Sequence, residues 1–446
     1  PPPIQRGVVP FCATRLKNTP TPWGSPAWSF YAALLFLAEL TKDSIPFPLS
    51  QLQQSITMAT KVLAALALAT QELQLVDNIN SAPGVTWKAE VNGMEKASFK
   101  KLLGVHVGKS WDAVQKLPRA VSSIRDEDIP ASFDSETNWP QCAKVIGDIR
   151  DQSMYVSVFN KGVFFFWVPL TKKITNSSTH LSVLFSLLFF PSFPFRCGCC
   201  WAFAGAEAAS DRLCISTNGT VAVPLSAQDV CFGASFDGCQ GGQIDTPWQY
   251  ISNTGAVTGG QVGQTYAVNG QKGLCSDFTL PHCHHHGPQG QDPYPAEGKP
   301  GCMSQTSPPA PTKCDANAAA PHNTWASDKW SFSGQVQSAS GEQGIQKAIM
   351  EGGPVETAFT VYSDFANYVS GVYHHVSGGV EGGHAVRIVG WGTDPSGGDY
   401  WKVANSWNPY WGESGYFRIK RGNSECGIED GVTFSSADAK WTQGGN

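Results

Sequence analysis

The run Arg196-Cys197-Gly198-Cys199-Cys200-Trp201-Ala202-Phe203, followed by Ala-Gly-Ala-Glu-Ala-Ala, constrains this chain more than any other stretch. Alanine and glutamate are strong helix formers, and the cysteines and glycine before them read as the loop that feeds a helix start. Cys200 then stands at a helix N-terminus. Unpaired backbone N–H groups and the positive end of the helix dipole favour thiolate there, and thiolate is the nucleophile. The competing reading is that one cysteine among 13 is structural. What lies downstream favours the reactive reading.

Composition bounds the rest. The 446 residues allow two domains or one large domain with appendages, and the 41% hydrophobic content allows a core. A net charge of −5 gives no electrostatic case for nucleic acid. The 46 glycines and 30 prolines point to a loop-rich fold. The 13 cysteines point to an oxidising compartment and a disulfide framework, and the odd count leaves at least one outside any intramolecular pair.

Residues 1–57 contain no methionine and mix prolines with isolated tryptophans, so they read as an upstream gene-model artefact. Met58, Lys61 and the apolar run Val62 to Ala69, ending in an Ala-x-Ala site, read as a secretory signal over 58–69. Residues 70–128 are polar and helix-compatible, and Arg125-Asp126-Glu127-Asp128 is a charged, exposed linker before Ile129. Residues 154–195 hold no Asp, Glu or Cys and nine of the 24 phenylalanines. Their Phe, Leu, Ser and Pro codons are pyrimidine-rich, as a tract before a splice acceptor would be, and their removal keeps the frame. We read them as a retained intron. Their apolar runs are too short and broken for a stable membrane span.

Asn218-Gly219-Thr220 is a glycosylation sequon. Cys239-Gln240-Gly241-Gly242 is a turn whose glycines permit close approach of a neighbouring strand or an extended substrate. Residues 270–320 read as a long irregular loop pinned by disulfides. The run His282-Cys283-His284-His285-His286 lacks the paired spacing of a metal site, so no metal and no cofactor is expected. From Ala358 onward the pattern is β-like, with glycine-bounded strands around His384, Tyr400 to Trp407, and Gly415 to Lys420.

A nucleophilic thiol needs a base, a group to orient that base, and donors for the oxyanion. Cys200, His384, Asn405 and Gln152 fill these roles in turn, with the backbone N–H of Cys200 as second oxyanion donor and Trp407 shielding the imidazole. Each residue alone is a weak signal; their order and local context are specific.

On these residues, together with Asp151-Gln152-Ser153, Cys239-Gln240-Gly241-Gly242, Gly383-His384-Ala385 and Asn405-Ser406-Trp407, the chain resembles the papain family of cysteine peptidases, and within it the cathepsin B group. The Cys-Gly-x-Cys-Trp signature is a known mark of that family. The resemblance runs from about Glu72 to Phe434 without 154–195. It implies an α+β, papain-like two-lobed fold, with a helical lobe, a β-rich lobe and the active site in the cleft between them. It further implies an inhibitory propeptide over 70–128, a peptidase domain over 129–446, and substrate contacts at Gly241, Gly242 and Trp407. The pairs Cys142–Cys214, Cys197–Cys239, Cys283–Cys302 and Cys231–Cys314 are implied disulfides. Residues 283–302 resemble the group's occluding loop, in which His285 and His286 would bind a substrate's C-terminal carboxylate and His285 would latch to Asp151.

Departures stand beside the match. Cys199 replaces the usual small residue, Cys275 has no evident partner, and Gly431 and Leu103 stand where an acid and a cysteine are common. The expected function is a secreted or lysosomal cysteine peptidase acting on peptides and proteins, with endopeptidase and peptidyl-dipeptidase modes. The alternative is a catalytically impaired papain-fold binding protein, if the insertion separates Gln152 from Cys200.

Overall fold

A computed structural model describes residues 70–91, 99–152, 197–261, 273–280 and 307–435, with the backbone of 439–441. Residues 1–57, the expected signal at 58–69, the 154–195 insertion, and the 283–302 loop with Cys283, His285, His286 and Cys302 lie outside the described residues. The chain divides into two units, Pro1–Asn78 and Ile79–Asn446. In the first, residues 70–78 are described and are helical.

The second unit is built on one mixed sheet. Its strands are β1 (Trp87–Ala89), β2 (Phe133–Asp134), β4 (Val336–Ala339), β5 (Val355–Tyr362), β6 (Tyr368–Tyr373), β7 (Val380–Asp394), β8 (Gly398–Ala404), β9 (Tyr416–Lys420) and β10 (Val432–Ser435); β3 (Trp330–Phe332) pairs elsewhere, with the backbone of β11 (Ala439–Trp441). The order is β1-β6-β9-β8-β7-β5-β10-β4, with β2 on β7. The pairing of β6 with β9 is parallel. Strands β5 and β7 are buried on both faces over most of their length, with Glu356, Thr357, His384 and Arg387 among the covered residues.

The helix Cys200–Ser216 is buried from Cys200 to Cys214, and its composition is Ala-rich on every side. This central helix packs on β7 and β5, and its buried charges, Glu207, Asp211 and Arg212, need partners there. Two buried arginines set its position. Arg212 donates to the carbonyls of Ala348 at 3.0 Å, Gly353 at 2.8 Å and Pro354 at 2.8 Å, tying the Cys200 helix to the C-terminal end of the helix Glu342–Gly352 and the turn after it. Arg387 of β7 pairs with Asp211 and with Glu207, the latter at 3.6 Å. Burial raises the Glu207 and Asp211 carboxyls to about 7 against the pull of Arg387. This ionic contact joins the helix that begins at Cys200 to the strand that carries His384.

Cys142–Cys214 and Cys197–Cys239 are bonded. The Cys231–Cys314 pairing is corrected: Cys231 bonds Cys199 and Cys314 bonds Cys275. The cause is spatial. Cys199 is the N-cap residue of the Cys200 helix, and its Cα is 6.2 Å from that of Cys231 in the neighbouring helix Ala227–Gly233. Cys314 instead lies beside Cys275, Cα to Cα 4.4 Å, where the N–H of Asp315 also donates to the Cys275 carbonyl. A second correction concerns residues 70–128, expected to be helical. Trp87–Ala89 is a strand that extends the main sheet by antiparallel pairing with β6, followed by the helix Val107–Val114. The Arg125–Asp128 stretch is an exposed turn with Arg125 paired to Asp128 and Glu127.

Candidate active site

Cys200 is the first residue of its helix and is fully buried. The N–H of Gly104, from the segment upstream of the peptidase region, donates to its Sγ at 3.3 Å. The N–H groups of Ala385 and Trp201 also point at this sulfur. Burial nonetheless dominates and pushes the thiol up to about 11.

His384 sits in β7 opposite Phe359 of β5, fully buried. Its Nε2 lies 2.7 Å from Asn405 Oδ1, which also accepts from the N–H of Ser406 at 2.8 Å. Both partners of that oxygen being donors, Nε2 carries the hydrogen and Nδ1 carries the lone pair. Among the described residues the buried Nδ1 has no hydrogen-bond partner, which suits an atom kept to receive a proton. Burial pushes the ring down to about 4, against the Asn405 hydrogen bond that opposes the shift. Trp407 stacks on the imidazole with centroids 4.6 Å apart and planes 26° apart, and Phe99 of the upstream segment meets Trp407 edge-on at 5.5 Å. Asn405 and Trp407 were expected within a strand; both lie just past the end of β8, where the chain turns toward the imidazole.

Gln152 is buried. Its Nε2 donates to the Leu102 carbonyl at 2.9 Å and to the Cys197 carbonyl at 3.1 Å, and its Oε1 accepts from Ser406 Oγ at 2.8 Å. Its own N–H donates to the Ser406 carbonyl at 2.9 Å. Gln152 and Cys197, which flank the insertion, are therefore in contact. Gly242 donates its N–H to the Gly104 carbonyl at 2.9 Å, while Val105 donates to the Gly383 carbonyl at 3.1 Å. Gly242 must be glycine: a Cβ there would lie 2.4 Å from the Trp201 ring. The backbone that leaves the 3-10 turn Lys100–Leu102 and runs through Gly104 to Val105 is thus held by both lobes and passes over the thiol.

The sequence reading did not single out Ser406, which holds Gln152 from both its hydroxyl and its carbonyl, although it stands between the two flagged residues Asn405 and Trp407. It also missed Gly104, for which no signal exists without its partner. Among the described residues, Cys197, Cys199 and Cys231 cluster closely enough to suggest a metal, but all three are bonded in disulfides and offer no thiolate. His285 and His286 lie outside the described residues, so their relation to Asp151 is not part of this geometry.

A helix that begins at a buried thiol and packs on the strand carrying a buried imidazole defines the papain-like class of fold. The family model "Papain family cysteine protease" matches residues 195–436, and the chain belongs to that family and is a cysteine-type peptidase. Within the family it is cathepsin B-like. It is 38% identical over 370 residues to "Cathepsin B-like cysteine proteinase 6" of Caenorhabditis elegans, across 80% of this chain and 81% of that relative. It is 34% identical over 365 residues to a "Cathepsin B-like cysteine proteinase" of Schistosoma japonicum, across 80% and 89%. Among solved structures it is similar to "proCathepsin B S9 from Trypanosoma congolense", with TM-score 0.55 and 27% identity, across 81% of this chain and 97% of that one.

Proposed function

We propose that the chain is the proform of a peptidase in which Cys200 is the nucleophile, His384 its acid–base partner and Asn405 the residue that orients the ring. The Gln152 side-chain amide and the Cys200 backbone N–H stabilise the oxyanion. The observation that carries this reading is the Leu102 carbonyl on Gln152 Nε2, with Gly104 N–H 3.3 Å from the thiol: a peptide backbone already lies where a substrate would. Residues 70–128 are then the inhibitory propeptide, ending at the exposed Arg125–Asp128 turn, and 129–446 the peptidase domain.

In the reaction His384 Nδ1 takes the Cys200 proton and the thiolate attacks the scissile carbonyl carbon. The oxyanion forms on Gln152 and the Cys200 N–H, where one donor is worth roughly 10²–10³ in rate. As the intermediate collapses, the C–N bond breaks, the imidazolium protonates the leaving amine, and a thioester remains. Water, deprotonated by His384, hydrolyses the thioester and restores the thiol. Loss of the propeptide rehydrates the site. That relieves the burial which holds the thiol and the imidazole neutral, and favours the thiolate–imidazolium pair.

The finer reading is a peptidase with endopeptidase and peptidyl-dipeptidase modes, the latter through His285 and His286, acting extracellularly or in a lysosome or vacuole after entering the secretory pathway. Four disulfides and the exposed sequon at Asn218 support that route. The non-catalytic alternative rested on the insertion displacing Gln152; the 3.1 Å contact of Gln152 with Cys197 argues against it. The test is hydrolysis of peptides with free and blocked C-termini by the matured protein and its Cys200→Ala variant. Undiminished turnover by the variant would end the proposal, and equal turnover of both peptide types would end the dipeptidase mode.

A further inference from the structure

Strand β7 is irregular just before the catalytic histidine. Val361 pairs with Gly382 and Tyr362 with Val380, so the ladder shifts register by one residue at Glu381, a bulge. A bulge re-aims a side chain, and this one buries it: Glu381 keeps only 2% of its side-chain exposure, whereas Val380 beside it is 59% exposed. Its carboxylate meets Lys100 Nζ of the propeptide at 2.8 Å. Lys100 opens the 3-10 turn Lys100–Leu102 that leads into the backbone over the thiol. Counting along that backbone, Val105 is held at Gly242 and Gly383, Gly104 touches the thiol, Leu102 reaches Gln152, and Lys100 reaches Glu381. Lys100 and Val105 therefore lie on opposite sides of the thiol contact.

We infer that Glu381 is a specificity-determining residue that selects substrates with lysine or arginine on one side of the scissile bond, the side opposite the residue paired with Gly242. Lys100 is the propeptide's stand-in for that substrate cation. The inference rests on the peptidase reading above, because it needs substrate to follow the path of the propeptide. A carboxylate shielded from water binds a cation far better than one on the surface, and it also rejects an acidic side chain.

The test compares matured wild-type protein with Glu381→Gln and Glu381→Lys. The substrates are peptides varied through Lys, Arg, Gln and Glu at each position flanking the cleaved bond. Wild type should favour Lys or Arg over Glu by roughly tenfold or more in kcat/KM at one position on that side. Glu381→Gln should bring the ratio below about threefold, and Glu381→Lys should invert it. A second measurement needs no turnover: calorimetric binding of a peptide spanning residues 99–114 to the matured Cys200→Ala protein. A Lys100→Glu peptide should bind about tenfold more weakly, and Glu381→Lys should restore its binding. A wild-type enzyme without charge preference on that side, or a preference that survives Glu381→Gln, overturns the inference. If no peptide is hydrolysed at all, the peptidase reading fails, and the calorimetric charge swap still decides whether Glu381 reads a cation.

Discussion

Replacing Gly104 by alanine would place a methyl group 1.8 Å from the carbonyl oxygen of Gly198 and 2.4 Å from its carbon. Both partners are backbone, so no rotamer relieves the overlap and the segment must lift. Lifting weakens four hydrogen bonds: Leu102 to Gln152, Gly104 to the Cys200 sulfur, Gly242 to Gly104, and Val105 to Gly383. At about 0.5–1.5 kcal/mol each, losing most of them costs roughly 2–4 kcal/mol, which is about a 30- to 1,000-fold increase in the open population. The assay is the rate at which a small alkylating reagent labels Cys200 in the full-length proform, since labelling requires the segment to leave the thiol. Gly108→Ala supplies the control. It lies on the same segment with nothing within 4 Å of an added Cβ, so it should leave the rate unchanged or slightly lower. If Gly104→Ala labels within threefold of wild type, the segment does not shield the thiol by this contact.

Three further outcomes are expected. His384 is pushed by burial from an ordinary 6.5 to about 4 in the closed proform, so an open site binds a proton that the closed one does not as pH falls. The contribution of His384 to closure is full above about 6.5 and is lost toward pH 4, so alkylation of the proform, normalised to the matured enzyme, should accelerate as pH falls over that interval; a flat profile refutes the assignment. Asn405→Ala removes the acceptor that fixes the ring tautomer and should lower kcat roughly 10- to 100-fold with little change in KM, a split that steady-state kinetics reads directly. Cys231→Ser opens the bond to Cys199 and should cost about 2–4 kcal/mol in denaturant unfolding, whereas Cys314→Ser should leave the Cys199–Cys231 peptide intact on non-reducing mass mapping.

The parts of this molecule that were legible in its sequence depend on local chemistry. The helix at Cys200 follows from an Ala-rich run after a Gly–Cys loop, and the strand around His384 follows from an apolar run between glycines. The site residues were legible through their order and neighbours. What escaped reading depends on who meets whom across the fold. Trp87–Ala89 is a strand only because β6 offers it an edge, and three residues carry no period that could announce it. Cysteine spacing does not encode connectivity, so Cys231 could not be given to Cys199 without knowing that the start of the Cys200 helix lies beside the helix Ala227–Gly233. Gly104 looks like any loop glycine until the Gly198 backbone is set against it. Glu381 sits in a strand where alternation alone would misplace its side chain, because a bulge is a property of the pair of strands.

The contact of Gln152 with Cys197 has a consequence for how the polypeptide tolerates scission. The halves on either side of residues 153–196 are held by contacts that never use the intervening peptide: Gln152 with Ser406, Asp151 with Trp407, and the bond between Cys142 and Cys214, which crosses the gap covalently. A proteolytic nick anywhere in 153–196 would therefore leave a two-chain molecule of unchanged mass apart from one added water. Its light and heavy chains would part on a denaturing gel only after reduction, while in the folded, nicked molecule the thiol, imidazole and oxyanion donors would keep their places.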